Sequence, residues 1–583
     1  MSDSQQQFGL GNLRIEESGG IDPEMHNSTG GPSAKMGVRG ITSGMGLGSD
    51  IPKGMMGTGA SANVTGISGG DVLGSSPANL QVPDRLKFEM DDEVEATSEK
   101  KGDEDDSNTI FKEFEEWLLT NGAKFPDLYL KRYGDSDVRG VHARRPIAPY
   151  NCIIQIPLKC LITDEMGRET KMGRKLFSQN YSLSTPNLIA VLLYIMETRE
   201  DPKHFFQPYY RVLPRKYNDF PIFYDDEQLT WLTGSPLLDD IAERKRNMYT
   251  DYEEICRLVP EFNRFTYEEF LEVRTAVGSR NFGILVHNQK RTAMVPYSDM
   301  LNHYRPRETS WTFEDSKDAF TITSLSSLQP HQQVMDSYGK KCNSKFLLHY
   351  GFAVVDNREE DGKCQNEIYL RLHLRSAKHD SLYESRLAVL GPSRSSRGFR
   401  LSMNIEDKAT SEALSYCRVA VATASELSEI MQARGLDDSS VGEDAHAHTY
   451  RRSRDSYRDS SVGYVSARNE VAALEMLAAA CRRQLGKYPQ TYEENLELLH
   501  HGNLKPFSVR RTTLIVVVSE QEILSFWNYA HETLSEILQD TTHETPLYQR
   551  LRQLPDRTHR DADLARFAAR LAYEIRMAAP PRR

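Results

Sequence analysis

The chain is poor in cysteine, has no long apolar run and carries no excess of positive charge. Its seven cysteines (Cys152, Cys160, Cys256, Cys342, Cys364, Cys417 and Cys481) include no Cys-x-x-Cys pair. Neither a disulfide framework nor a zinc site is indicated, and reduced thiols are expected. No apolar stretch approaches the ~20 residues that a membrane span requires. The first thirty residues lack a charged-then-apolar signal pattern, and Glu16, Glu17 and Asp22 are unlike an Arg-rich, acid-poor transit segment. A soluble intracellular protein is expected, with cytoplasm, nucleus and plastid not distinguished. A net charge of -11 argues against nucleic acid as the main partner and leaves basic protein segments open.

What is present begins late. Residues 1 to about 108 are rich in Gly, Ser, Met and Asn and end in the acidic run Asp91 to Asp106, so this head is expected to be disordered. Gly44 to Gly48 has phosphate-loop spacing, but no strand precedes it and no helix follows, which makes it low-complexity sequence. Apolar residues then recur at helical spacing from Ile110 to Leu119 behind Asn108 as a cap. Strands are expected at Ile147 and Ile153 to Pro157, and helices over Asp164 to Ala276, including Asn187 to Met196 and one opened by Asp225.

The stretch from Val295 to Phe352 organises the rest. It opens with Tyr297-Ser298-Asp299-Met300-Leu301-Asn302-His303 and closes with Ser337-Tyr338-Gly339, Asn343 and His349-Tyr350-Gly351-Phe352. Between them, Trp311 to Phe313 and Ala319 to Thr323 alternate like antiparallel strands. The Asp-x-x-Asn-His turn offers a carboxylate, an amide and an imidazole to a polar ligand, though by itself it reads more readily as a capped turn with a satisfied histidine. A second polar turn returning beside it makes a site the better reading.

These two segments together resemble the SET domain of protein methyltransferases. Their spacing is similar to the subgroup of the Rubisco large-subunit lysine methyltransferase and the actin-histidine methyltransferase. The resemblance implies an α+β fold: a β-rich SET core at 109–375 with a helical insertion at about 164–276, then an all-helical substrate-binding domain at 376–540 broken by a flexible insertion at about 435–462. A charged tail at 541–583 follows, with a helix open as its structure. It implies S-adenosylmethionine as methyl donor, no metal, and a protein substrate docked by the helical domain. A monomer without nucleic-acid or membrane partners is expected.

Residue by residue, the resemblance implies that Asp137, Val138, Arg139 and Gly140 form a turn against the donor. Arg280, from a Ser-Arg-x-x motif, would bind the donor with Asn302 and His303, and a guanidinium suits a carboxylate. Tyr338 would be catalytic, with Phe282, Ser298, Asp299 and Tyr350 on the substrate side. The histidine-directed relative has an asparagine where Phe282 stands and a tryptophan where Ser298 stands, so an alkyl-amine is the expected target. Two rivals stay open: a protein-histidine methyltransferase, and an inactive SET-fold binding module. Val138 in a glycine position, and the absence of glycine in Pro330-His331-Gln332-Gln333, favour the second rival. Elsewhere, Thr512 to Trp527 reads as β-rich and then helical, and His446 and His448 as solvated residues.

Overall fold

The computed structural model describes residues 104–133, 139–436 and 461–578. The glycine-rich head up to 103, Asp137 and Val138, and His446 and His448 lie outside the described residues. Among the described residues no helix is long and apolar enough to cross a membrane.

Ten strands serve the first half: β1 Leu128–Arg132, β2 Arg139–Ala143, β3 Cys152–Pro157, β4 Ile162–Thr163, β5 Asn281–Val286, β6 Gln289–Met294, β7 Asn302–His303, β8 Thr309–Glu314, β9 Ala319–Ser324 and β10 Gln333–Asp336. They form three small sheets, ordered β1-β2-β10-β7, β3-β9-β8 and β4-β6-β5. Every residue of β2 is buried, as expected of an inner strand covered on both faces. β8 and β9 are antiparallel, with Phe313 opposite Phe320. Ile147 makes only an isolated bridge to Leu328.

The pairing that matters for the site is parallel: Met335 lies opposite Asn302 and Asp336 opposite His303. A parallel pair cannot be closed by a tight turn. Here β8 and β9 fill the crossover, so the end of β10 arrives beside Asn302-His303.

The stretch from 164 to 280 is helical. Thr163, Asp225 and Thr266 cap helices there with reciprocal side-chain bonds. The Thr266 box starts helix Tyr267–Arg280, which delivers Arg280 at its last turn and Phe282 at the start of β5. One apolar core runs from Phe114 to Val334 through Ile154, Leu192 and Phe320.

A second core runs from Tyr224 to Ala572 and holds the C-terminal helices. In it β11 (Ile368–His373) points Ile368, Leu370 and Leu372 inward and pairs with β12 (Ser396–Leu401). A strand at 396–401 departs from the all-helical expectation. Residues 509–539 form one helix, correcting the β-rich expectation. The run Leu514-Ile515-Val516-Val517-Val518 has strand propensity, but all five are buried among other helices, and tertiary packing overrides propensity. The charged tail contains helix His559–Ala578, whose Leu564, Phe567, Ala568 and Leu571 are buried in this same core. Helix Glu104–Thr120 begins ahead of the cap expected at Asn108.

Candidate active site

The two turns meet through three hydrogen bonds. The Tyr338 amide donates to His303 Nδ1 (3.0 Å), the Tyr304 amide to the Asp336 carbonyl (2.9 Å), and the Tyr338 hydroxyl to the Leu301 carbonyl (2.7 Å). Tyr338 is therefore held at both ends by the Leu301-Asn302-His303 segment. Its ring lies 5.1 Å from Tyr350, and the His303 ring lies 5.2 Å from Tyr338 and 4.7 Å from Phe346, with Phe352 also in contact. Burial pushes the Tyr338 phenol well above its usual pKa, against the pull of Arg280, so it is neutral at neutral pH. Burial, followed by Arg305 and Lys341, pushes His303 down to about 3, so its ring is uncharged and accepts from the Tyr338 amide.

Asn302 is locked by its amide, which donates to the Arg139 carbonyl and to Gln333 Oε1, both at 2.8 Å. Gln333 in turn donates to the Tyr133 hydroxyl (2.7 Å). A Cβ on Gly140 would meet Gln333 Oε1 at 2.8 Å, so a side chain there would displace the Gln333 amide that holds Asn302. The glycine missing from 330–333 is replaced by His331, which itself adopts φ +65°. Its carbonyl bonds His142 Nδ1 (2.7 Å) and its ring meets the Tyr129 hydroxyl (3.2 Å), contacts that hold a left-handed non-glycine residue.

Beside this lies a buried charge cluster. Asp299 Oδ2 accepts from the Tyr209 hydroxyl (2.9 Å) and from Arg280 Nη1 (3.3 Å), which also donates to the Asp299 carbonyl (2.9 Å). Burial is the largest single influence and works to lower the Arg280 pKa, but Asp299 together with Tyr217, Tyr209 and Tyr338 outweighs it and holds it above the usual arginine value. Arg139 stacks on Phe111 at 5.4 Å and is pushed down to about 10, by burial first and then by Arg280. Two guanidiniums thus face one carboxylate. Arg139 Nε and Nη2, Arg280 Nε and Asp299 Oδ1 are buried with no partner. Buried charged donors without acceptors are costly, and a ligand carboxylate would complete this set.

Tyr297, immediately upstream, has φ +72° and is fully buried, stacked on Phe125 at 4.0 Å. Such strain costs about 1–3 kcal/mol and persists where packing over-determines it. It aims Ser298 and Asp299 inward. The Ser298 hydroxyl is buried without a partner.

The sequence-derived residues therefore divide. Asn302, His303, Tyr338 and Tyr350 come together, and Arg139, Gly140, Arg280 and Asp299 adjoin them. Phe282 makes its ring contacts with Trp311 (5.5 Å) and Phe320 (5.1 Å). Sequence reasoning missed Gln333, Tyr209, Tyr217, Lys341 and Phe346. Only Gln333 carried a signal, as one of the polar pair after the missing glycine.

The fold and this constellation define a SET-domain protein. The SET domain of LSMT bound to lysine and AdoHcy matches with a TM-score of 0.57 at 19% identity, covering 76% of this chain and 96% of that one. Rubisco LSMT bound to AdoMet matches at 0.55 and 19%, covering 77% and 97%. Residues 377–524 match the family model described as Rubisco LSMT substrate-binding. The chain is 26% identical to the actin-histidine N-methyltransferase of Canis lupus familiaris over 71% of its own length and 68% of that protein, and 27% identical to that of Rattus norvegicus over 71% and 67%. The chain thus has a SET fold followed by a Rubisco LSMT substrate-binding region, and is similar to this group of methyltransferases.

Proposed function

We propose that this chain is an S-adenosylmethionine-dependent protein methyltransferase whose target is a lysine side chain. The observation that carries the reading is the β7–β10 pairing, which fastens the Tyr338 hydroxyl to the Leu301 carbonyl inside an aromatic cluster. Arg139 and Arg280 would hold the methionyl carboxylate of the donor, since their unpartnered nitrogens fit such a group. Asn302 and His303 would line the donor through the backbone that Asn302 and Gln333 lock in place. When bound, the donor supplies a methyl group on a sulfonium.

In-line transfer asks mainly for alignment. Tyr338, a neutral phenol fixed on Leu301, would orient the incoming amine with its hydroxyl oxygen, and Tyr350 would wall the channel. A lysine amine has a reference pKa of ~10.4 and must lose its proton before it attacks. The chain carries its own gauge of that environment. Lys341, whose ammonium lies 5.6 Å from the centre of the Tyr350 ring, has a lowered pKa, by burial first and then by Lys345 and Arg305. A substrate lysine entering beside it would be driven the same way. The match at 377–524 to a substrate-binding family supports a protein substrate docked by the C-terminal helices.

Histidine is the second reading, favoured by relatives named actin-histidine N-methyltransferases. Against it, Phe282 and Ser298 offer no amide for an imidazole, and the neighbouring Asn281 amide is consumed by the Val277 and Gly278 carbonyls (2.9 and 3.1 Å). Mass spectrometry of proteins methylated in a lysate should find the label on lysine. Phe282→Asn with Ser298→Trp should shift it toward histidine, and an unchanged residue preference would remove the pocket argument. Calorimetric titration with S-adenosylmethionine tests the scaffold reading, which predicts no binding.

A further inference from the structure

Two arginines outside the donor cluster lie together with no direct ion pair among the described residues. Arg244 comes from helix Leu237–Leu258 and Arg274 from helix Tyr267–Arg280. A Cβ added to Gly278 would meet Arg274 Nη1 at 3.2 Å and Arg244 Nη2 at 3.7 Å, so both guanidiniums lie over that glycine. Arg274 is 4% exposed and bonds the Thr185 hydroxyl, while its Nε and Nη1 have no partner. Arg244 is half-buried, gives Nη1 to His349 Nδ1 (2.8 Å) and leaves Nε without a partner. The His349 ring is neutral: burial, then Arg244, pushes it down to about 3. Among the described residues neither arginine forms an ion pair. The acid that acts on Arg274 from a distance, Asp251, is already engaged by the Ser184 amide (2.7 Å) and hydroxyl (2.5 Å).

Like charges packed side by side in a low-dielectric setting repel, and buried cations are tolerated where an anion joins them. The position of this pair says which anion. Arg244 bonds His349, which feels the charge of Lys341, and Lys341 lies over the Tyr350 ring, so the pair lies near the channel that Tyr338 and Tyr350 line. Lys341 adds a third cation at that channel. One planar, partly exposed guanidinium with a second behind it fits a single carboxylate.

We infer that Arg244, backed by Arg274, is a substrate-specificity subsite that takes an acidic side chain next to the methylated lysine. This rests on the lysine-methyltransferase reading and adds to it a class of substrate: a lysine flanked by Asp or Glu. The net charge of -11 leaves basic segments open as well, but a whole-chain sum does not describe the field at one channel.

The test uses the full chain, labelled S-adenosylmethionine and a peptide library in which a central lysine is flanked at each position by Asp or by its isostere Asn. At one or two flanking positions the Asp peptide should show kcat/KM at least tenfold above the Asn peptide. Arg244→Met should bring that ratio near one and Arg244→Lys restore part of it. The Tm of Arg244→Met should be unchanged or higher, since it removes an uncompensated cation, and calorimetry should find its affinity for S-adenosylmethionine unaltered. Equal rates for Asp and Asn peptides, or a preference that survives Arg244→Met, overturn the inference. Weakened donor binding in Arg244→Met assigns the pair to the donor's carboxylate instead. Transfer without acid preference refutes this inference alone, whereas no transfer and no donor binding refute the methyltransferase reading and the subsite with it.

Discussion

Arg418 in the C-terminal helices and the Arg139–Arg280 pair in the SET core are all buried, but they are built on opposite terms. Arg418 gives Nε and Nη2 to the two oxygens of Glu470 (2.8 and 3.0 Å), gives Nη1 to the Val462 carbonyl (2.9 Å), and has Glu574 at 3.3 Å. Each guanidinium nitrogen is met. Arg280 alone is paired with the one carboxylate of its cluster, Asp299, and Arg139 and Arg280 together leave three nitrogens without partners. A saturated buried arginine holds helices together; an unsaturated one retains donors that a ligand could fill.

The comparison is open to direct attack. The largest effect should come from the saturated side: Arg418→Met leaves Glu470 buried and unpaired and should cost about 3–5 kcal/mol of stability in denaturant unfolding. Next is Tyr338→Phe, which should lower kcat on the order of a hundredfold while leaving S-adenosylmethionine affinity nearly intact, as isothermal calorimetry would record. Arg139→Met should do the reverse of Arg418→Met. With no acceptor of its own to lose, it should leave stability within about 0.5 kcal/mol but weaken donor binding by roughly thirtyfold, about 2 kcal/mol for a charge-assisted contact. A large stability loss in Arg139→Met would erase the distinction between the two clusters.

The smallest effect lies where the two halves of the chain meet. Glu520 is buried in the long C-terminal helix and accepts from Ser235 (2.9 Å), Tyr488 (2.8 Å) and Ser344 (3.3 Å). Burial pushes its carboxyl up to about 7. Because the folded value lies above the unfolded one, its contribution is complete in acid and is lost as pH rises through 7. Between pH 6 and 8 the loss should be about 1.4 kcal/mol, one decade of proton activity, and Glu520→Gln should flatten that part of the stability profile.

Much of this was legible in the chain because its signals are local. Thr266 with Glu269 starts a helix by its own hydrogen bonds, and Asn302-His303 and Tyr338-Gly339 are recognisable as segments. The helix at 509–539 was misread because a run of β-branched residues reports propensity, whereas five buried side chains within another helical layer decide the outcome. The helical reading of the charged tail rests on the same kind of signal: in the helix at 559–578, Leu564, Phe567, Ala568 and Leu571 stand at positions i, i+3, i+4 and i+7. Tyr209 had no such chance, because its role depends on a partner 90 residues away, and Gln333 showed only its polarity, since its partner Asn302 stands 31 residues away.

The amino-acid sequence by itself determined which groups are available: a tyrosine, an asparagine-histidine pair and a motif arginine, on segments whose capping and alternation make them turns, strands and helix ends. Tertiary structure alone decided which charges remain unanswered. Whether a guanidinium is saturated depends on what other parts of the chain bring within hydrogen-bond reach, and desolvation, which makes an unanswered charge significant, exists only once the core has closed around it.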